Sequence, residues 1–250
     1  VDKDGNIFFL FTPFAAIGNT LYNIFAHGVN FDHYNWKVLR NAWRIDSGMF
    51  MGNGLQILNK WTWSFVNSYV GNMTAHVLNV FGKVDKVTAF DGMLALSGVT
   101  SGNSAFTVGH YSFGPKGYVA DWRDHLFVHE YGHYIQSQHW GLLYFKVVAI
   151  PSLLSTLFTS YLSDVEHKSR WFEKYASGLG ANYFDRHYGK GAKGYDPNSP
   201  NFFDINSFWN GVGTKYKNPR LKNSWPVDGL YEQDKKFSFK TRLLVWDFIF

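Results

Sequence analysis

His129, Glu130 and His133 stand in the order H-E-x-x-H. On an α-helix, residues four apart lie one turn apart on one face, so the two imidazoles can aim at a single point. Imidazole nitrogen binds zinc at roughly 2.0–2.1 Å, and one turn's separation lets both rings reach one ion. Glu130 then reaches a water on that ion and can act as its general base, while the metal lowers the water's pKa to roughly 7. The chain has ten His but only four Glu (Glu130, Glu166, Glu173 and Glu232), so the motif is not a by-product of composition.

A catalytic zinc takes three protein ligands and keeps one position for water, so a third ligand must come from downstream. His139 lies ten residues after His129, where H-E-x-x-H-x-x-G-x-x-H proteins place a third histidine. That pattern needs glycine at 136, where this chain has Gln136, and a methionine turn downstream. Met49, Met51, Met73 and Met93 all lie upstream. Glu173 is the better candidate. It lies forty residues after His133 on an expected helix, with Ala176 and Ser177 following. This resembles the gluzincin pattern, a Glu on a second helix followed by a small residue and then a polar one. Ala176 would let the two helices approach, and Ser177 would stand where an acid orients a ligand histidine in better-known members. Glu166, His167, Asp164 and Asp185 remain alternatives. An oxyanion partner is sought among Tyr183, His187 and Tyr111.

The spacing has meaning only on a helix. Asp121 and Asp124 offer N-caps, Leu126, Phe127, Tyr131, Tyr134 and Ile135 give the apolar period, and Gly141 ends the run, so a helix is expected over about 122–140. Upstream, helical patterns run over about 33–52 (Trp36, Leu39, Trp43) and about 55–80 (Leu58, Trp61, Phe65, Tyr69), with Gly71-Asn72 as a candidate break in the second. Strands are expected at 86–90, 93–96 and 105–108, with Asp91-Gly92 as a hairpin turn. Ser163-Asp164-Val165-Glu166 has capping-box form and opens a helix reaching about Tyr188; 189–200 reads as a loop. The expectation is a single α+β domain, mostly helical: N-terminal helices over 1–82, a small antiparallel sheet over 83–120, the H-E-x-x-H helix over 121–141, and helices with an irregular segment over 142–250.

Composition narrows the chemistry. No cysteine is present, so a thiolate nucleophile and a Cys-type zinc site are excluded, and histidine and carboxylate must hold any metal. The net charge of +5 comes from scattered bases without a run or a nucleic-acid motif, so no nucleic-acid partner is expected. Residues 7–27 and 142–162 are strongly apolar, and a non-enzymatic, membrane-perturbing domain is the alternative reading. Pro13, Gly18, Asn19, Thr20 and Asn23 interrupt the first run and argue against a spanning helix, and Lys146 and Pro151 in the second favour a buried helix pair over a membrane span. The start, Val1-Asp2-Lys3-Asp4-Gly5-Asn6, has neither an initiator Met nor a basic segment before its apolar run, which reads as a piece of something longer.

Several stretches together resemble one group. They are Val1-Asp2-Lys3-Asp4-Gly5-Asn6, Asn41-Ala42-Trp43-Arg44-Ile45-Asp46, Phe81-Gly82-Lys83-Val84-Asp85, the segment His129 to Gln138, Pro151-Ser152 and Trp171-Phe172-Glu173-Lys174-Tyr175-Ala176. The group is the C-terminal toxin domains that follow the RHS (YD-repeat) core in Bacteroidota polymorphic-toxin proteins, and the likeness covers roughly residues 1–188. Where such domains carry Asn after the Ala, this chain has Ser177. The resemblance implies a zincin-like fold, Zn2+, and a toxic peptidase acting on a protein or peptide. It also implies delivery into a target cell from a secreted parent, a cognate immunity protein, and contact with the RHS core.

Overall fold

The computed structural model describes residues 33–102, 104–152, 154, 171–196 and 198–212. Within them the chain is α+β. Helices α1 (His33–Ser47), α2 (Gly54–Trp61) and α3 (Phe65–Val80) precede strands β1 (Lys86–Phe90), β2 (Met93–Ser97), β3 (Phe106–Val108) and β4 (Tyr111–Phe113). Helices α4 (His125–Trp140), α5 (Trp171–Tyr188) and α6 (Ile205–Val212) follow. The apolar segment 7–27, the capping box at 163–166 and the chain after 212 lie outside the described residues.

The sheet has the order β1-β2-β4-β3 and is mixed, where an antiparallel sheet is expected from sequence. β1–β2 and β3–β4 are antiparallel hairpins, but β2 pairs with β4 in parallel, Leu94 opposite Tyr111 and Leu96 opposite Phe113. The second hairpin docks by its second strand because that strand has the more apolar surface to bury. Tyr111 and Phe113 on β4 are fully buried, whereas Phe106 on β3 is 41 % exposed. β4 was not expected as a strand at all.

Helices cover both faces of β2. Alternate side chains of a strand point to opposite sides. Met93 and Ala95 join Phe127, Val128, Tyr131 and Tyr134 of α4 in one core, and Leu94 and Leu96 join Ile45 of α1 and Ala75 of α3 in another. The Asp91-Gly92 turn has positive φ at both residues (43° and 81°), the geometry of a two-residue hairpin turn that Asp-Gly favours.

The helix expected over 55–80 is two helices. Thr62 leaves helical geometry (φ −125°, ψ −87°), and the Ser64 hydroxyl closes the break by donating to the Asn59 carbonyl at 3.1 Å. Gly71, read as a possible break, lies inside α3. A Cβ there would come within 2.3 Å of the Val108 carbonyl oxygen, so the glycine lets α3 close against the β3–β4 turn. α2 begins with Asn53, whose side chain accepts from the Leu55 and Gln56 amides while Gln56 Oε1 accepts from the Asn53 amide.

Lys60 ties α2 to the sheet. It is fully buried, and its ammonium donates to the carbonyls of Gly48 (2.7 Å), Met51 (2.9 Å) and Gly92 (2.6 Å). Burial pushes its pKa well down, partly opposed by the charge of Asp91. Lys60→Met keeps the apolar stem but strands these carbonyls. It should lower unfolding free energy by about 1–3 kcal/mol in urea titration; an unchanged midpoint would show that the three bonds contribute nothing net.

Candidate metal centre

α4 begins at Asp124, whose carboxylate accepts from the Leu126 amide at 2.9 Å, and ends at Gly141, where φ is 51°. Phe127, Val128, Tyr131, Tyr134 and Ile135 anchor it in the core. The expected start near 122 is three residues early because Asp124, not Asp121, is the cap. His129 and His133 lie one turn apart, ring centroids 4.9 Å from each other.

α5 lies across that face at very short range. A Cβ on Gly132 would fall 1.8 Å from the Ala176 carbonyl oxygen, and one on Gly180 would fall 2.1 Å from that of Val128. Backbone therefore meets backbone, with Ala176 fully buried at the contact, as the sequence anticipates. The approach brings Glu173 between the two rings. Its Oε2 is 3.2 Å from His129 Nε2 and 3.2 Å from His133 Nε2. One ligand atom from each of the three residues lies within 4.8 Å of the other two, and this is the one such group of three among the described residues. His133 and Glu173 are buried, and the His129 side chain keeps 12 % exposure. The trio can hold a metal ion.

Each of these side chains, and Glu130, has its own hydrogen-bonding partner. His129 Nδ1 meets Ser177 Oγ at 2.8 Å, so a neutral ring that donates there presents its lone pair at Nε2, the atom beside Glu173. His133 Nδ1 donates to Gln136 Oε1 at 2.8 Å. Ser152 Oγ donates to Glu173 Oε1 at 2.8 Å. Glu130, only 2 % exposed, accepts from Thr107 Oγ1 on β3 at 2.6 Å. Thr107 and Ser152 carry no local signal as site residues, because β3 and the helical stretch 144–152 reach the site only through the fold. The Tyr144 hydroxyl donates to the Thr107 carbonyl at 3.4 Å, and the charges of Glu130 and Glu173 reinforce the rise that burial gives its pKa.

The competing candidates are not part of the trio. The half-buried His139 ring has its pKa pushed down to about 4 by desolvation, and the residue's carbonyl accepts from Trp63 Nε1. Asp185 is on α5, twelve residues past Glu173, and Asp164, Glu166 and His167 lie outside the described residues. None of the three oxyanion candidates has its described contact at this centre. The Tyr111 hydroxyl donates to the Ile45 carbonyl, the Tyr183 hydroxyl to Asp91, and the exposed His187 ring packs on Tyr183. Tyrosine and histidine alone do not reveal which way a ring faces.

Glu173 and His133 form an ion pair. Burial opposes the charge on each, but for His133 the charge and hydrogen bond of Glu173, the charge of Glu130 and the bond to Gln136 outweigh it and raise the pKa to about 9. For Glu173, the His133 charge and bonds to both histidines overcome desolvation and hold its pKa well below the usual carboxylate range. His133 therefore contributes stability that is fully present below its unfolded pKa of about 6.5 and is lost as pH rises through about 9. Glu173 contributes stability above its unfolded pKa and loses it as pH falls through its depressed folded value. The metal-free protein should lose stability between pH 7 and 10 in denaturant titrations. His133→Ala should flatten that slope; a slope unchanged in the variant would assign the loss elsewhere.

The close approach of α4 and α5 has its own test. Gly132→Ala should destabilise the protein by about 1–3 kcal/mol or more, since overpacking here pushes on backbone, and should weaken metal uptake as Glu173 moves away. Calorimetry with and without added zinc reads both effects; wild-type values for both would contradict the packing described. No protein-family model matches this chain, and no curated protein or solved structure matches it significantly, so any functional reading rests on the site's own geometry and on the sequence.

Proposed function

We propose that the chain is a zinc-dependent metallopeptidase with a zincin-like fold, in which His129, His133 and Glu173 hold the ion and Glu130 is the general base. The observation that carries this reading is the convergence of three ligand atoms within 4.8 Å from two helices. Two imidazole nitrogens and one carboxylate oxygen are a donor set typical of hydrolytic zinc. A bound zinc ion supplies a Lewis acid that makes water acidic near neutral pH.

The chain's own groups do the remaining work. Glu130, its carboxylate held by the Thr107 hydroxyl, takes a proton from the attacking water and hands it to the leaving amine of the cleaved amide. Ser177 and Gln136 hold the two imidazoles so that each Nε2 faces Glu173. Tyr144, beside Thr107, is our candidate donor to the oxyanion. We take the substrate to be an extended peptide, because β3 ends the sheet order and carries the residue that holds Glu130. An extended chain pairing along β3 would pass amide bonds by the base. That the domain is a toxin delivered from an RHS-type parent and countered by an immunity protein rests on the sequence resemblance over residues 1–188.

The test is metal content by plasma mass spectrometry together with cleavage of denatured casein and a fluorogenic peptide library. Wild type should carry about one zinc per chain. His133→Ala and Glu173→Ala should lose it. Glu130→Gln should keep the zinc and lose about 10²–10⁴-fold in cleavage rate. A wild-type chain that takes up no zinc when it is supplied would end the hydrolase reading, and equal cleavage by Glu130→Gln would remove the base from its role.

A further inference from the structure

Gln136 stands one turn beyond His133 on α4, fully buried, with both ends of its amide in use. Oε1 accepts from His133 Nδ1 at 2.8 Å, and Nε2 donates to the Phe172 carbonyl at 2.8 Å. Phe172 immediately precedes Glu173. One side chain thus grips a ligand ring on α4 and the backbone next to the ligand carboxylate on α5.

The direction of the amide follows from chemistry. The Phe172 carbonyl can only accept, so the NH2 end must face it and the oxygen must face His133. That oxygen can only accept, so His133 Nδ1 must carry a proton. In the neutral ring the lone pair then sits on Nε2, the nitrogen that faces Glu173. A backbone carbonyl on α5 thereby dictates the tautomer of a histidine on α4. Other residues do half of this. Methionine fills the space and makes neither bond. Glutamate accepts from Nδ1–H but turns an oxygen toward the Phe172 carbonyl, acceptor against acceptor.

We propose that Gln136 is a two-armed positioning residue of the metal centre, fixing the His133 tautomer with one arm and the placement of Glu173 with the other. This rests on the reading of His129, His133 and Glu173 as a zinc site. It also gives position 136 a use: the helix continues to Trp140, and the residue that replaces a turning glycine ties the two helices together.

The experiment is zinc affinity by chelator competition on the full chain as wild type, Q136M and Q136E, with ¹⁵N NMR of the imidazole nitrogens and thermal melts of the metal-free proteins. Q136M should bind zinc about 10–100-fold more weakly than wild type. In zinc-loaded wild type, the His133 Nδ1 proton should be visible and slow to exchange, and this signal should be lost in Q136M, a change that bulk destabilisation does not produce in a folded variant. Q136E should also bind more weakly than wild type, because it keeps only the His133 arm. Wild-type affinity in Q136M, or an unaltered Nδ1 signal there, would overturn the proposal. Affinity in Q136E equal to or above wild type would show that the Phe172 arm is idle and would overturn it too. Failure of wild type to bind zinc is a different result, which removes the metal site itself.

Discussion

Two helix backbones meet at Gly132, Ala176 and Gly180 with no room for a side chain between them. That contact sets the distance between α4 and α5, and the distance decides whether Glu173 reaches the two histidines. A methyl group at either glycine would strike a carbonyl oxygen, an atom fixed by its own helix, so the strain would move a whole element rather than a rotamer. The chemistry of the centre therefore depends on residues that have no functional groups.

Around this contact the polar groups come from far apart in the chain. Ser177 is on α5 itself, Thr107 on β3, and Ser152 on the helical stretch 144–152 that follows α4. Both buried carboxylates act on His133, and the charge of Glu173, with a smaller part from Glu130, favours a proton on its ring in the metal-free protein. A divalent cation bound by the same trio would compete with that proton, so ligand geometry and proton affinity are set by the same contacts.

Local chemistry made the centre legible and left its surroundings obscure. The H-E-x-x-H spacing, the caps of α4, the Asp-Gly turn and the small residue after Glu173 are all short-range signals, and the structure follows them, with Asp124 rather than Asp121 as the cap. The parallel pairing of β2 with β4 joins strands separated by another strand, and turn residues do not encode it. The unbroken apolar run Met93-Leu94-Ala95-Leu96 was the available clue, since a strand covered on both faces does not alternate. The break at Thr62 and the partners Thr107, Ser152 and Tyr144 depend on tertiary contact. The toxin context rests on the sequence resemblance, and the zincin-like assignment on that resemblance and on the site's geometry.

Lys60 has a consequence of another kind. Its amine is sealed in the interior and coordinated by three carbonyls that belong to a loop and a hairpin turn. An acylating reagent cannot reach it while that arrangement holds, whereas exposed lysines react at once. Slow acylation at this one position therefore acts as a clock for the opening of the α2–sheet junction, counting excursions that leave the rest of the fold closed.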